Sequence, residues 1–406
     1  MSFESFKFDG RVKQGLQAAG YEKATPIQEI AIPAILEGRD VIGTAPTGTG
    51  KTAAFVLPIL HNLLATKKQD ARRATRALII TPTRELAEQI HTVIKELGKF
   101  TSLRSATVYG GVGMQPQEKA LRQGVEVIVA CPGRLLDHLN RGTASLDQVE
   151  MMVIDEADRM LDMGFLPSIQ QIMKHVSSRR QTLLFSATFD AAVEQLAVKS
   201  LKSPQRFSTG TDAPSSTVAH TLYPVPQHLK PGLLQRLLDE MNVHSILVFT
   251  RTKHRADRVT EKIKRAGYAA SALHSNKSQN QRKQAMDQFR TGQIKVLVAT
   301  DIAARGLDVA SISHVINFDI PDSATSYIHR IGRTGRAERL GDAYTLVTQE
   351  DKQTIRDIEK ILGTPIERKV LDNFNYNEAM EKNVRAFPLP QVQDRGRVRS
   401  QQRRYA

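Results

Sequence analysis

Met151-Met152-Val153-Ile154-Asp155-Glu156-Ala157-Asp158 joins four apolar residues directly to three acids. A short, continuous apolar run is typical of a strand that is buried on both faces of a parallel sheet. Carboxylates at the mouth of such a strand suit a phosphate-bound Mg²⁺ and its attacking water. An acidic helix N-cap would also explain them, but a phosphate-binding loop upstream favours a nucleotide site.

Similar β-branched and apolar runs recur along the chain and alternate with longer amphipathic stretches. This alternation predicts an α/β fold, with one doubly wound, mainly parallel sheet flanked by helices in each half of the chain. Besides 151–154, the predicted strands are 40–43, 77–81, 107–109, 125–130 and 181–185 in the first half, and 245–250, 269–273, 295–300, 314–318 and 343–347 in the second.

The length of 406 residues fits two domains of ordinary size. Residues 202–226 contain four prolines separated by Ser, Thr and Gly, a composition typical of a linker. We therefore predict an N-terminal region at 1–28, a first domain at 29–205, a linker at 206–226, a second domain at 227–368 and a tail at 369–406.

The charge is uneven, with 57 Lys and Arg against 42 Asp and Glu and a net charge of +15. This excess favours a polyanionic partner, although charge alone does not separate RNA from DNA or an anionic membrane. From residue 383 onward six arginines face one acid, which predicts a disordered basic tail. A second basic cluster, either a solvated loop or a nucleic-acid contact, comprises Lys67, Lys68, Arg72, Arg73 and Arg76.

The cysteine content and the length of the apolar runs indicate the cellular compartment. Cys131 is the single cysteine, which excludes an intrachain disulfide and a Cys-based zinc site and fits a reducing compartment. No apolar run approaches the roughly 20 residues that span a bilayer, and the first residues lack the apolar core of a signal peptide. We expect a cytoplasmic protein without a membrane partner.

A phosphate-binding loop follows the predicted strand at 40–43 and precedes a helix-like stretch. Its glycines let backbone N–H groups converge on phosphate oxygens, and the helix N-terminus adds partial positive charge. Lys51 is expected to contact the β- and γ-phosphates, and Thr52 to bind Mg²⁺. The adjacent Lys-Thr makes a chance flexible loop the weaker interpretation of Ala45-Pro46-Thr47-Gly48-Thr49-Gly50-Lys51-Thr52.

The remaining catalytic candidates lie on both sides of the linker. Asp155 is expected to hold Mg²⁺ through water, and Glu156 to act as general base towards the attacking water. In His329-Arg330-Ile331-Gly332-Arg333-Thr334-Gly335-Arg336, arginines recur every three residues. An exposed basic helix is the alternative, but Arg333 and Arg336 could also reach a γ-phosphate held by the other domain. Domain closure would then complete the site.

These three segments resemble motifs I, II and VI of the DEAD-box RNA helicases, and the resemblance extends from Phe3 to about residue 365. It implies two tandem RecA-like domains, an ATP-binding domain at 29–205 and a C-terminal domain at 227–368. Residues 20–28 resemble the family's Q motif, in which Thr25, Gln28 and the upstream Phe3 contact adenine. The resemblance thus implies ATP and Mg²⁺ as cofactors. Gly306 and Asp308, in a segment similar to motif V, are implied to contact the nucleotide.

Further segments resemble the motifs that couple ATP to RNA. Ser186 and Thr188 are implied to bond Asp158, with His329 as another coupling residue. Two departures are Cys131, where the family usually has Thr, and Ser275, where it usually has Gly. The implied contacts to the RNA sugar-phosphate backbone are Pro82, Thr83, Arg84, Gly110, Gly111, Gly133, Arg134, Arg251, Gln279, Arg282 and Thr300.

The function that follows is an ATP-dependent RNA helicase. RNA would stimulate ATP hydrolysis, and closure would unwind short duplexes locally or remodel RNA–protein complexes. Two alternatives stay open: an ATP-gated RNA clamp with little unwinding, and, more weakly, a DNA translocase. Residues 251–254 and 356–360 resemble the bacterial RhlE-like subgroup, and the family resemblance suggests ribosomal or RNA-decay complexes as partners.

Overall fold

The computed structural model contains two β-sheets, each of seven strands that run parallel to one another. The structure describes residues 1–46, 48–66, 74–209, 218–241, 244–304, 312–334 and 341–378. The strands are β1 (Val41–Thr44), β2 (Ala77–Ile80), β3 (Ser105–Val108), β4 (Val127–Ala130), β5 (Met151–Ile154), β6 (Gln181–Ser186), β7 (Gln205–Ser208), β8 (Val218–Pro224), β9 (Ile246–Phe249), β10 (Ala270–Leu273), β11 (Val296–Ala299), β12 (His314–Asn317), β13 (Gly341–Val347) and β14 (Glu367–Arg368).

Helices cover both faces of each sheet, and the described part of the chain holds none that is long and apolar enough to cross a bilayer. Short 3₁₀ turns lie at Phe3–Ser5 and Gln349–Asp351. The helices are α1 (Gly10–Ala18), α2 (Pro26–Leu36), α3 (Lys51–Ala65), α4 (Arg84–Leu97), α5 (Met114–Gln123), α6 (Pro132–Asn140), α7 (Ala157–Asp162), α8 (Leu166–His175), α9 (Ala191–Ser200), α10 (Lys230–Glu240), α11 (Lys253–Arg265), α12 (Gln279–Arg290), α13 (Asp301–Ala304), α14 (Ala324–Ile331) and α15 (Lys352–Leu362).

Strand order in the first sheet brings the nucleotide motifs together. The order is β3-β4-β2-β5-β6-β1-β7, so β6 lies between β1 and β5. The phosphate-binding loop follows β1, the acidic segment follows β5, and Ser186 ends β6. Because all these strands are parallel, their carboxyl ends meet at one edge of the sheet, where open α/β folds bind ligands.

The core dictates one residue of β1. Phe55 of α3 packs on Phe185 of β6 with ring centroids 5.4 Å apart. A Cβ at Gly43 would lie 2.5 Å from the Phe185 ring, so β1 requires glycine where it passes under this aromatic pair.

The second sheet has the order β10-β11-β9-β12-β13-β8-β14. Its central strands are continuous apolar runs such as Ile246–Phe249, buried on both faces as predicted for parallel sheets. Arg251 and Thr300 follow the neighbouring strands β9 and β11, so residues predicted to contact RNA share one edge of this sheet too.

Two predicted boundaries need correction. Most of the described part of the segment predicted as linker at 206–226 belongs to strands, because β7 pairs with β1 and β8 pairs with β13, whereas 210–217 lie outside the described residues. The predicted tail also begins too early: Leu371, Phe374 and Tyr376 pack against the core of the second domain, and the Leu371 N–H donates to the Tyr376 hydroxyl at 3.0 Å. The arginine-rich part from 379 onward lies outside the described residues.

Candidate functional site

The phosphate-binding loop is held open by glycines and by a buried lysine. Gly48 and Gly50 have φ of 86° and 90°, in the left-handed region where glycine carries no Cβ penalty. Gly50 is the N-cap of α3, which points its free N–H groups at the loop. Lys51 is buried, and its Nζ donates to the Ala45 carbonyl at 2.7 Å. The loop thus gathers backbone donors and one ammonium, the chemistry that binds polyphosphate.

Gln28 ties the N-terminal region to this loop. Its Oε1 accepts from the Thr25 N–H, and its Nε2 donates to the Gly50 carbonyl, both at 2.9 Å. The side chain is 2% exposed. An amide has two N–H donors and two lone pairs, so one of each remains for an adenine edge. Gln28 is therefore placed to sense the base and the phosphate loop together.

Phe3 packs with other aromatic residues of the N-terminal region. Its ring lies 6.0 Å from both Phe6 and Tyr21, and the residue is 5% exposed in a hydrophobic core of the first domain. These neighbours secure the N-terminal segment. The contact of Phe3 with adenine stays a prediction.

Two buried acids follow β5. Glu156 has φ of 55°, a left-handed conformation that is uncommon for a residue with a side chain. Its Oε1 is 3.7 Å from Lys51 Nζ, and its Oε2 is 3.1 Å from Arg159 Nε. Among the described residues Asp155 Oδ1 has no hydrogen-bond partner, so this buried carboxyl oxygen is free to bind a cation. Thr52, the other residue predicted to bind Mg²⁺, lies in the first turn of α3, directly after Lys51.

The two acids have opposite electrostatic environments. Burial and the charge of Glu156 raise the pKa of Asp155 to about 7. Burial alone would raise the pKa of Glu156 as well, but the surrounding cations Arg159, Lys51 and Arg333 lower it to about 2. Glu156 is therefore ionised at neutral pH.

Arg159 is a site residue that the motif analysis missed. It lies three residues after Glu156, on the same face of α7, and is 1% exposed. The i,i+3 spacing after an acid was the available signal.

A coupling cluster surrounds Asp158. Its N–H donates to Ser186 Oγ at 3.2 Å, and its Oδ2 accepts from both the N–H and the hydroxyl of Thr188 at 3.1 Å. His329, which belongs to α14 of the second domain, places Nε2 3.6 Å from the same oxygen. Burial and the charge of Arg159 lower the pKa of His329 to about 4, so the imidazole is neutral. The structure thus brings these four predicted coupling residues together across both domains.

The arginines after His329 divide into two roles. Arg330 forms a two-point ion pair with Asp301 at 2.6 Å and stacks on the Phe249 ring at 5.0 Å, so it holds the second domain together. Arg333 is 4% exposed, and its positive charge acts on Glu156 of the first domain. The predicted site residues Arg336, Thr47, Gly306 and Asp308 lie outside the described residues.

The residues predicted to contact RNA gather where helices begin. Arg84 opens α4, Gly133 and Arg134 lie in the first turn of α6, Arg251 precedes α11, and Gln279 opens α12. Each of these helices exceeds two turns, and its N-terminus favours a phosphate. The other predicted contacts at the same edges of the sheets are Pro82, Thr83, Gly110, Gly111 and Thr300.

Several of these side chains also join the domains. Arg282 Nη2 lies 2.8 Å from Glu85 Oε1, and Gln279 bridges Arg84 and Glu85 with two contacts of 3.4 Å. The side chains of Arg282 and Glu85 are 10% and 13% exposed. Arg282, predicted as an RNA contact, therefore has an interdomain partner, and Glu85 was missed because nothing in one sequence pairs residues so far apart.

Two other sequence features resolve differently. Arg76 belongs to the protein interior, since its Nε lies 3.0 Å from Glu150 and its Nη1 donates to the Leu63 carbonyl. Arg76 therefore does not belong to the exposed basic cluster predicted from the sequence, and the other four residues of that cluster lie outside the described residues. Burial raises the pKa of Cys131 to about 12, which removes it as a nucleophile at neutral pH.

Comparison with known proteins gives consistent matches over both domains. Residues 25–196 match the DEAD/DEAH box helicase family and residues 229–338 the helicase conserved C-terminal domain. The Bacillus cereus protein named DEAD-box ATP-dependent RNA helicase CshA is 40% identical over 385 residues, 95% of this chain and 72% of that protein.

Solved structures distinguish the arrangement of the domains. Dbp5 of S. cerevisiae bound to RNA and ADP BeF3 matches with a TM-score of 0.82 and 32% identity, covering 91% of this chain and 95% of that one. A Dbp5 variant bound to Nup159, Gle1, IP6 and ADP matches with a TM-score of 0.60, 31% identity and coverage of 89% and 95%. The two domains of this chain are therefore placed more nearly as in the RNA-bound form.

Proposed function

The chain belongs to the DEAD-box ATP-dependent RNA helicases, and we propose that its chemistry is assembled by closure of the two domains on RNA. The observation that carries this proposal is the shared acidic segment at 155–158. Glu156 faces the charge of Arg333, and Asp158 faces His329, so both catalysis and coupling draw on the second domain.

The nucleotide is proposed to lie between the phosphate-binding loop and the acids. Gly48, Gly50 and Thr49 would supply backbone donors, Lys51 would contact the terminal phosphates, and the free donor and acceptor of Gln28 would select adenine. Thr52 and Asp155 would hold Mg²⁺, which would neutralise phosphate charge when bound. The orphaned Oδ1 of Asp155 supports this assignment.

Glu156 is the proposed general base. Lys51 and Arg159 flank its two oxygens on different sides, which fixes the direction of the carboxylate. A carboxylate held this way can orient a water and accept its proton, a role worth about 10²–10⁴ in rate. Arg333, with Arg336 as predicted from the sequence, would stabilise charge on the γ-phosphate.

RNA is proposed to cross the helix N-termini that both domains present. The helix N-termini offer backbone N–H groups and arginine side chains, which bind phosphates, so they would position an RNA strand without recognising its base sequence. Closure would bend that strand and exclude its partner. Stacking is worth about 1.4 kcal/mol per step in DNA, so disrupting three or four steps removes roughly 5 kcal/mol and lets a short duplex separate.

An ATP-gated clamp is the second candidate, because the interdomain contacts of Glu85 with Arg282 favour a long-lived closed form. Strand displacement compared with ATP-dependent RNA retention separates the two. For setting, we propose the cytoplasm, where RNA and ATP occur together, and ribosomal or RNA-decay complexes remain the proposed partners.

The direct test uses purified full-length protein. RNA should stimulate ATP hydrolysis more than DNA does, and Glu156→Gln should lower the stimulated turnover by about 10²–10⁴ while RNA binding persists. An ATPase rate that does not change when RNA is added, or a Glu156→Gln variant with unchanged turnover, would refute the mechanism.

A further inference from the structure

A cleft of about 960 Å³ with many charged side chains in its lining opens in the second domain, away from the acidic segment at 155–158. It lies where β8, β12 and β13 end and where α10, α11 and α15 begin. Carboxyl ends of parallel strands are the usual ligand edge of an open α/β sheet. Among the described residues, none assigned to the nucleotide lines this cleft, and only Arg251 connects it to the proposed RNA path.

Within the part of the chain that the structure describes, positive charge dominates the lining. Three acids line the cleft, and two of them are engaged: Asp319 pairs with Arg255 at 2.5 Å, and Asp351 accepts from the Thr348 N–H and hydroxyl. Glu350 is the third. Against them stand six cations, which are Lys230, Arg251, Arg255, Lys352, Arg356 and Arg368.

Two of these cations are available to a ligand. Lys352 and Arg356 lie one turn apart on α15, and both are exposed. Their side chains have no ion pair with another described residue, unlike Arg368, which lies 3.2 Å from Glu359. Residues at i and i+4 face the same side of a helix, so the two charges point to one rim of the cleft.

The floor of the cleft carries a second, independent signal. Lys230 is 2% exposed, and its Nζ donates to the Phe318 and Leu346 carbonyls at 3.1 and 2.8 Å. An ammonium has three N–H donors, so one remains. Within the described residues no carboxylate lies within 4.0 Å of it. Asp319 and Asp351 act on its charge from beyond that distance, so the ammonium has no direct ion pair, and a further anion would stabilise it here.

We propose that this basic cleft binds the sugar-phosphate backbone of RNA, as an extension of the strand that passes Arg251. The inference rests on the RNA path proposed above. Continuity decides the occupant: the exposed Arg251 belongs both to that path and to the lining, so a strand leaving the path reaches Lys352 and Arg356 next. No described aromatic side chain lines the cleft, so the proposed contact is to phosphates and independent of sequence.

The test compares full-length protein with a Lys352→Ala/Arg356→Ala double variant. Binding is measured by fluorescence anisotropy with RNAs of about 6 and about 16 nucleotides, which span common single-strand site sizes. The short RNA should bind both proteins equally, and the long RNA should bind the variant more weakly. Losing two phosphate contacts should lower the salt slope by about 1.4, which shrinks the difference in affinity about sevenfold between about 50 and about 200 mM salt.

A Lys262→Ala/Arg265→Ala variant is the matched control, since it removes one Lys and one Arg from the exposed surface of α11 in the same domain. It should bind both RNAs as the unmodified protein does. Equal loss for both RNA lengths would place Lys352 and Arg356 on the core path, and no loss for either would assign the cleft to another anion; each overturns the proposal. Failure of the unmodified protein to bind the short RNA would instead reject the RNA path itself.

Discussion

The ion pair between Glu85 and Arg282 joins the two domains beside the proposed RNA path, and we expect it to contribute to the free energy of domain closure. The paired atoms are 2.8 Å apart, with side chains 13% and 10% exposed. Breaking a fully buried pair costs about 3–5 kcal/mol and an exposed one about 0–1. Because opening the domains returns both ions to water, we expect a coupling of about 1–3 kcal/mol, or roughly 5–150-fold in affinity.

A double-mutant cycle measures this coupling. Glu85→Gln, Arg282→Gln and the double variant are titrated with RNA in the presence of ADP and beryllium fluoride, which hold the closed form. Each single change should weaken RNA binding about tenfold, corresponding to about 1.4 kcal/mol. The double variant should be little weaker than either single one.

The control and the refuting result are both specific. Glu96→Gln alters another glutamate of α4, exposed and distant from α12, and should leave RNA binding unchanged. If the effects of Glu85→Gln and Arg282→Gln add within about 0.5 kcal/mol, the pair contributes no closure energy. Arg282 would then act on RNA directly, as the sequence predicted.

Three further outcomes follow from the site. Thr188→Val removes the hydroxyl hydrogen bond to Asp158, while the backbone N–H bond stays, and should lower the strand displacement per ATP hydrolysed severalfold; an unchanged ratio argues against coupling through this hydroxyl. Gly50→Ala places a Cβ 2.4 Å from Gln28 Nε2 at a φ of 90°, so ATP affinity should fall about tenfold or more, and equal titration curves would contradict this. The pKa of Cys131 is raised from 9.0 to about 12, so its thiol should be alkylated at pH 8 about a thousandfold more slowly in the native than in the denatured protein. Because the thiol ionises in the unfolded chain first, the free energy of unfolding should fall from pH 9 towards pH 12. Fast labelling of the native protein would refute the burial of Cys131.

The apolar runs of the sequence located most of the strands, because strands buried on both faces have no polar alternation to obscure them. Met151–Ile154 matches its prediction in full, and most others differ by one or two residues at an end. β7 and β8 were missed for physical reasons. Gln205–Ser208 is a polar edge strand, and Val218–Pro224 begins soon after Pro214 and ends on a proline, which a terminal strand position tolerates.

The site could be predicted where one motif supplies a complete chemical unit. The phosphate-binding loop and the 155–158 segment are local, so their order along the chain carries the information. Contacts such as Glu85 with Arg282 are not local, and no spacing rule connects them. The core position of Phe3 depended in the same way on Phe6 and Tyr21 folding over it, which residue type alone does not indicate.

The position of β1 in its sheet has a consequence for how the protein is made. β1 begins at Val41, but its two neighbours in the sheet are the later strands Gln181–Ser186 and Gln205–Ser208. The strand that precedes the phosphate-binding loop therefore cannot form its hydrogen bonds on both edges until these later residues have been synthesised. Arg333 emerges about 125 residues after Ser208, which at a synthesis rate of about 5–20 residues per second is roughly 6–25 seconds. During translation the first domain is thus complete while the arginine that faces Glu156 does not yet exist. On the proposed mechanism, a nascent chain at this stage would hold nucleotide without the arginine that promotes its hydrolysis.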